Sequence, residues 1–336
     1  MFSKNCFGVD LGTSAVKIYS LRKNRMMIEH NILAIRDGEQ VIAVGNDAYE
    51  MYEKNPPSIE VVRPIVSGRI ANIQEAEILL RVLLRKTDRR AGGKPRLFFS
   101  APLNMSEIER RAFYSLSTVG NLKSPRIYLT DRPICDALSL GIDLRKTRGS
   151  MIINIGAENT EISVIAGGQI IVSDTISFGG QLLNDSIANE IRRSRSMLIG
   201  QRTSTRLKAV LATFENPGND ARKVVGIDTL SGLPKEEVIS SDVVSTAVEA
   251  EFHRAAETLR NYLERMPPQV ARCIRDEGIY LTGGTARIPA LDRYLSRIIG
   301  CKINISPDYE FSTVKGLQEI IQHRELQKWV SSREKS

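Results

Sequence analysis

The sequence predicts an α/β protein made of two similar units, each a β-sheet followed by helices. Three observations carry this. The chain has 336 residues, 42% hydrophobic and 26% charged, which suits a globular protein of two domains. An internal repeat is visible when GVDLGTSAVKI (8–18) is set over IINIGAENTEI (152–162). Apolar positions, the glycine and the closing isoleucine coincide. A further Gly-rich turn at 282–285 follows the apolar run GIYL. Two such units facing one another make a cleft, with a ligand between their opening turns.

The N-terminal stretch to residue 35 reads as two or three strands, with turns at Gly12-Thr13 and Lys23-Asn24. A short strand, a helix near 46–54, a Pro-Pro turn and another strand follow. The spacing of Ile78, Leu79, Val82 and Leu83 predicts a helix over 74–87. GGKPRLFFSAP is a turn and a buried strand. Ser106 and Glu109 form a capping-box pattern ahead of a helix ending at Gly120. SPRIYLTDRPICDALSLGID reads as strand, loop and helix.

KTRGS (146–150) is a polar crossing into the second unit. That unit opens with three strands over 151–180, joined by Gly-containing turns. Helices near 181–195 and 203–215 and a strand pair at 221–240 come next. A long helix over 242–265 has Asp242 as its expected cap and Val244, Val248, Phe252, Ala255, Leu259 and Leu263 on its buried face. The last stretch is helix, strand, Gly-Gly, helix.

Several function classes are excluded by composition. Four scattered cysteines without CxxC pairing and three histidines argue against zinc and fit a reducing cytoplasm. No signal peptide is expected, since MFSKNCFGVDLG runs straight into a strand, and no apolar run is long enough to span a membrane. The net charge of +8 suits an anionic partner or a basic solvated surface.

The candidate chemistry sits in the turns. In Asp10-Leu11-Gly12-Thr13-Ser14, Gly12 lets backbone N–H groups turn toward an anion, and Thr13 and Ser14 add hydroxyls. Asp10 is a candidate to hold magnesium through water. Lys17 either reaches a phosphate or faces solvent. Gly283-Gly284 precedes a helix whose N-terminus would favour anions.

Together these turns resemble the superfamily of actin, heat-shock chaperones and sugar kinases, with its duplicated, ribonuclease H-like fold. The finer resemblance is to the MreB family of bacterial actins. It covers nearly the whole chain and rests on VGNDAYEMYEKNPPSIEVVRPIVSGRIANI, KPRLFFSAPLNMSEIERRA, GIDTLSGLP, LERMPPQV and GIYLTGGTARIPALDRYL, in the right order. The resemblance implies an ATP-binding, filament-forming protein beneath the cytoplasmic membrane, involved in cell shape and wall-synthesis organisation. ATP and magnesium would lie in the cleft. Phosphates would meet residues 12–14 and Gly156, Ala157, Glu158 and Asn159; adenosine would meet Thr205, Arg206, Lys208, Gly283, Gly284, Thr285 and Ala286.

The family pattern is broken at several points. Its Asp-Ile-Gly-Gly-Gly-Thr-Thr-Glu turn is here Asn154-Ile155-Gly156-Ala157-Glu158-Asn159-Thr160-Glu161. The metal-facing Asp is neutral Asn154, and Glu158 brings a carboxylate toward phosphate. Two unit charges about 4 Å apart repel by about 4 kcal/mol at an effective dielectric near 20. The family's catalytic Glu before Pro is Arg132, in Thr130-Asp131-Arg132-Pro133. A guanidinium cannot accept a proton, Asp131 is a short substitute one position off, and Arg132 could instead pair with Glu158 or touch a phosphate. Thr205 replaces a Glu at the nucleoside end, and Thr285 replaces the third Gly of the adenosine turn. Hydrolysis is therefore expected to be weak or lost.

Arg85, Lys86, Arg89, Arg90 and Lys94 cluster in and after one helix. A solvated face and a salt-sensitive contact with an anionic membrane both fit; the absence of interleaved aromatics argues against nucleic acid. The expected domains are 1–147 with 312–336, carrying a small subdomain at about 34–69, and 148–311, with one at about 183–241. Two functions stay open: a nucleotide-dependent MreB-type filament with self as partner, near membrane-bound wall-synthesis proteins, or a pseudo-ATPase scaffold of the same fold.

Overall fold

The computed structural model describes residues 5–91, 94–116, 125–216 and 218–332. It divides into one unit of Met1–Arg145 with Glu310–Ser336 and a second of Lys146–Tyr309.

In the first unit, β1 (Cys6–Leu11), β2 (Ala15–Ser20) and β3 (Arg25–His30) form an antiparallel meander. β4 (Leu33–Arg36), β5 (Gln40–Val44), α1 (Asn46–Met51) and β6 (Ile59–Val62) build a small sheet in the order β5-β4-β6 with one helix on it. The two-stranded hairpin of β7 (Ile65–Val66) and β8 (Arg69–Ile70) leads to α2 (Ile73–Thr87). Asn72 caps α2 by accepting the Gln74 and Glu75 N–H groups. Its buried stripe is Ala76, Leu79, Leu80, Leu83 and Leu84, with Ile78 and Val82 only partly buried, so the face lies one position round from the expected one.

Next come β9 (Arg96–Ala101), α3 (Glu107–Ser115), β10 (Arg126–Asp131) and α4 (Arg132–Ser139). The capping box at α3 is formed: Ser106 Oγ accepts the Glu109 N–H at 3.2 Å, and Glu109 Oε2 accepts the Ser106 N–H at 2.6 Å. The expected helix end at Gly120 lies outside the described residues. β9 and β10 add parallel to β1, giving the order β10-β9-β1-β2-β3. The loop expected between β10 and its helix is absent. β10 ends at Asp131 and α4 starts at Arg132, with Pro133, whose missing N–H costs nothing there, in its first turn.

The second unit repeats this plan. β11 (Ser150–Ile155), β12 (Thr160–Ala166) and β13 (Gln169–Ile176) form the meander. α5 (Gly180–Arg195), β14 (Met197–Leu198), α6 (Gln201–Leu211), β15 (Ala221–Asp228), β16 (Pro234–Ser240) and α7 (Ser241–Glu264) follow. β14, β15 and β16 make a small antiparallel sheet. Ser240, not Asp242, holds the N-cap position of α7; Asp242 lies in the first turn, where its charge favours the helix dipole. α8 (Pro268–Glu277), β17 (Ile279–Thr282), α9 (Leu291–Ile299) and β18 (Ile303–Ile305) complete the unit. β17 joins β11 in parallel, giving β18-β17-β11-β12-β13. This is the strand order of the first unit, so the eleven-residue repeat marks a structural one.

The chain then returns to the first unit. α10 (Ser312–Gln322) packs on α4, and β19 (Ser331–Ser332) pairs with the edge of β10. Val314, Leu317, Ile320 and Ile321 share a core with Cys6, Tyr19, Phe98 and Cys135. Thr313 Oγ1 donates to buried Asp136 at 2.6 Å. At Gly316 an added Cβ would stand 1.8 Å from the Cys135 carbonyl oxygen. Gly316→Ala is therefore expected to force the helices apart and to cost at least the about 1–3 kcal/mol typical of overpacking. Chemical unfolding of the full chain measures this, and an unchanged midpoint would contradict the packing described.

Candidate functional site

Each unit carries a site built on its first hairpin. In the first unit, antiparallel register sets Asp10 opposite Lys17, so both side chains leave the same face of the sheet. Lys17 Nζ donates to Asp10 Oδ2 at 3.3 Å. Ser100, brought alongside by β9, donates its hydroxyl to Oδ1 at 2.7 Å. Arg132, the first residue of α4, places Nε 3.8 Å from the same oxygen. Burial alone would raise the Asp10 pKa; Lys17, then Arg132 and the Ser100 hydroxyl, bring it below the ordinary value.

The turn itself is stapled from inside. Thr13 Oγ1 accepts the Gly68 N–H at 3.0 Å. Asn31, 1% exposed, donates to the Thr13 carbonyl at 2.9 Å and to the Ile65 carbonyl at 2.6 Å. Ser14 is exposed, and its carbonyl accepts the Asn31 N–H. Gly12 is required, since a Cβ there would fall 2.6 Å from the Ala15 carbonyl oxygen. Lys17 thus faces Asp10, not solvent. Arg132 lies beside Asp10 in its own unit, an arrangement not among those expected for it. Asp131 is exposed and makes no side-chain cap bond to α4.

The magnesium role expected of Asp10 does not fit these surroundings. Its carboxylate already faces two protein cations and a hydroxyl. Among the described residues, no group of three or more His, Cys, Asp or Glu could hold a metal ion.

In the second unit, the β11–β12 turn is closed by the Gly156 N–H on the Asn159 carbonyl at 3.0 Å. It rests on the start of α5. The Gly180 and Gln181 N–H groups donate to the Gly156 and Ala157 carbonyls at 3.0 and 2.6 Å. These are two of the orphan amides that a helix N-terminus could offer an anion, and here the turn takes them. Gly179 permits this approach, since its Cβ would stand 2.6 Å from the Ala157 carbonyl oxygen. Thr285 Oγ1 donates to the Gly156 carbonyl at 3.0 Å, and Lys208 Nζ to the Gly180 carbonyl at 2.5 Å. Asn184 Nδ2 donates to Thr205 Oγ1 at 2.8 Å.

Gly283, at φ 91°, lets β17 turn close against Asn154 and Ile155. The α-helix expected directly after it is a 3-10 turn, Gly284–Arg287, and α9 begins only at Leu291. The expected anion-favouring helix end is therefore not at Gly284. Thr285 and Ala286 are buried, while Glu158 and Asn159 are half-buried. Gly156, Ala157, Thr205, Lys208, Gly283 and Thr285 thus come together around the start of α5. Arg206 does not: three-residue spacing puts Thr205 and Lys208 on one helix face, and Arg206 turns outward and is exposed.

The sequence reading missed Asn31, Gly68, Ser100 and Asn184. Ser100, a lone polar residue inside the buried run LFFSA, was the one detectable signal.

A family model described as MreB/Mbl protein matches residues 4–328. The chain belongs to the MreB/Mbl family. The cell shape-determining protein Mbl of Bacillus subtilis is 30% identical over 299 residues, covering 88% of this chain and 89% of that protein. The structure is similar to that of MreB5 of Spiroplasma citri bound to AMPPNP, with TM-score 0.88, 27% identity and coverage of 96% of this chain and 97% of that one. A MamK double helical filament shares the fold, with TM-score 0.77, 16% identity and coverage of 95% and 98%. The actin-like fold expected for an MreB protein is thereby established. No helix among the described residues is long and apolar enough to cross a membrane.

In this MreB/Mbl chain, Lys208 is mostly enclosed. Burial, with Arg287 adding and Asp185 opposing, lowers its pKa from 10.5 to about 8. Between these values the unfolded chain holds the extra proton, so stability rises with pH. This contribution is complete above 10.5 and is lost as pH falls through about 8. Lys208→Met is expected to flatten that slope in unfolding free energies measured across the window; an unchanged slope would place the titration elsewhere.

Proposed function

We propose that this chain is an MreB-type cytoskeletal protein. It binds ATP, assembles with copies of itself beneath the cytoplasmic membrane, and takes part in cell shape and the organisation of wall synthesis. Family membership over nearly the whole chain supports this, as does likeness to a structure bound to AMPPNP. The residues proposed to meet nucleotide in the first unit are Gly12, Thr13 and Ser14. In the second they are Gly156, Ala157, Glu158, Asn159, Thr205, Lys208, Gly283, Gly284, Thr285 and Ala286.

The observation that carries the rest is Arg132 beside Asp10. Where the family pattern has a water-orienting carboxylate, this chain has a permanently charged guanidinium engaged with another residue. It cannot accept a proton, so ATP is held rather than turned over. Phosphate release is expected at background, and Arg132→Glu is expected to raise it at least about tenfold, a barrier change of about 1.4 kcal/mol. Rapid turnover by the wild type would refute the assignment.

Self-association is supported by the outer face of the small second-unit sheet. Leu198, Val225, Ile227 and Val238 are exposed there, and Leu230 at the β15–β16 tip is 91% exposed. Apolar area of this kind marks an interaction surface, and the occupant proposed is a second copy of the chain. Ile227→Asp is expected to abolish ATP-dependent pelleting and filaments seen by electron microscopy. Pelleting equal to wild type would place the contact elsewhere.

The membrane contact is proposed through Arg85, Lys86, Arg89, Arg90 and Lys94, all exposed. Lys86 also pairs with Glu29 and Asp47, so the other four carry most of the attraction, at about 1 kcal/mol each near an anionic leaflet. Charge reversal at Arg89 and Arg90 together is expected to release the protein from anionic vesicles, as high salt should.

The pseudo-ATPase scaffold remains the second reading. The spent α5 amides and Glu158 in the turn favour it. ATP calorimetry on wild type and Glu158→Gly separates the two: binding by wild type supports the first, and none by either supports the scaffold.

A further inference from the structure

The basic surface at the end of α2 extends beyond that helix. The turn between β2 and β3 is fastened beside it. Arg22 Nε donates to Asp88 Oδ2 at 2.5 Å, and Asp88 Oδ1 accepts the Arg90 N–H at 3.0 Å. Arg25 Nη2 donates to the Lys86 and Thr87 carbonyls at 3.2 and 3.3 Å, two of the orphan carbonyls of a helix C-terminus. Lys23 stands near enough to help lower the Asp88 pKa. The turn is also held from behind, where Tyr19 Oη donates to Asn24 Oδ1 at 3.0 Å. Two segments distant in sequence thus present their cations together.

Lys23 and Arg25 are exposed, as are the five cations of α2 and the residues after it. The acids among them are engaged. Asp88 is 2% exposed and serves Arg22 and Arg90, while Glu29 and Asp47 serve Lys86. Among the described residues of 21–25 and 85–96, no large hydrophobic side chain is exposed. This surface offers charge to a bilayer and nothing apolar to insert. Guanidinium forks match phosphate oxygens. Cations standing in solvent on two elements suit a sheet of many phosphates better than a single enclosed one.

We propose that the β2–β3 turn and the end of α2 form one docking surface for the phosphate headgroups of an anionic bilayer, held by charge without insertion into the acyl chains. This rests on the membrane-contact reading above and deepens it, since Lys23 and Arg25 join the contact.

The test is cosedimentation of the full chain with vesicles of phosphatidylglycerol and phosphatidylcholine. Lys23→Gln is expected to weaken binding about fivefold, as one cation lost near an anionic leaflet should. Arg272→Gln removes an equal charge from the exposed side of α8 and is expected to stay within about twofold of wild type. Wild-type binding by Lys23→Gln, or an equal loss in both variants, would overturn the proposal. Salt at about 0.5 M is expected to release the protein completely; protein retained there would show insertion and also overturn it. Inorganic phosphate at constant ionic strength is expected to leave the protein on the vesicles, and displacement would mark a site for single phosphates instead. If wild type does not bind anionic vesicles at all, the membrane reading itself fails, and this inference with it.

Discussion

In each unit the first strand must be paired on both sides: antiparallel to its sequence neighbour, and parallel to a strand that arrives much later. β1 sits between β2 and β9, and β11 between β12 and β17. Such a strand is shut away from water along its length, and all six residues of β1 are buried. Asp10 belongs to that strand. A carboxylate there is tolerated only if its neighbours supply donors and charge. β2 supplies Lys17, β9 supplies Ser100, and the helix after β10 supplies Arg132. The pairing that builds the sheet also assembles the cluster.

The two halves keep this geometry and reverse its chemistry. Register places Asn154 opposite Glu161, as it places Asp10 opposite Lys17. One hairpin therefore holds an acid compensated by bases, and the other a neutral amide opposite an acid. Around the second hairpin the partners are mostly carbonyl oxygens, taken up by α5 amides, Thr285 and Lys208. That turn is knitted to its own helix by its backbone, while the first is held by side chains.

Much of the architecture was legible in the sequence because it depends on local pattern. Alternation and Gly turns located the hairpins, the i,i+3 and i,i+4 spacing located α2 and α7, and Ser106 with Glu109 announced α3. What escaped depends on partners distant in the chain. Nothing local says that Arg132 will lie beside Asp10, since β9 must first pair with β1 and β10 with β9. Asp242 has the residue type of a cap, but tertiary pairing of β16 carried the strand to Ser240 and started the helix one residue early. Gly283-Gly284 has the composition of a strand-to-helix turn; Pro289, shortly after, helps explain why α-helix begins only at Leu291. Asn31 and Asn184 carry no local signal, since the Thr13 and Ile65 carbonyls and the Thr205 hydroxyl that they serve come from elsewhere in the chain.

The return of α10 to the first unit has a consequence for synthesis on the ribosome. Domains generally fold as units while the chain emerges, yet Val314, Leu317, Ile320 and Ile321 belong to the core of residues made first. The second unit is contiguous and can close as soon as it is out. The first must wait, with the side of α4 that receives Gly316 still bare, until the later-made unit has been completed. The older half of the nascent chain is thus the last to be finished, and it is the half a chaperone would need to shield.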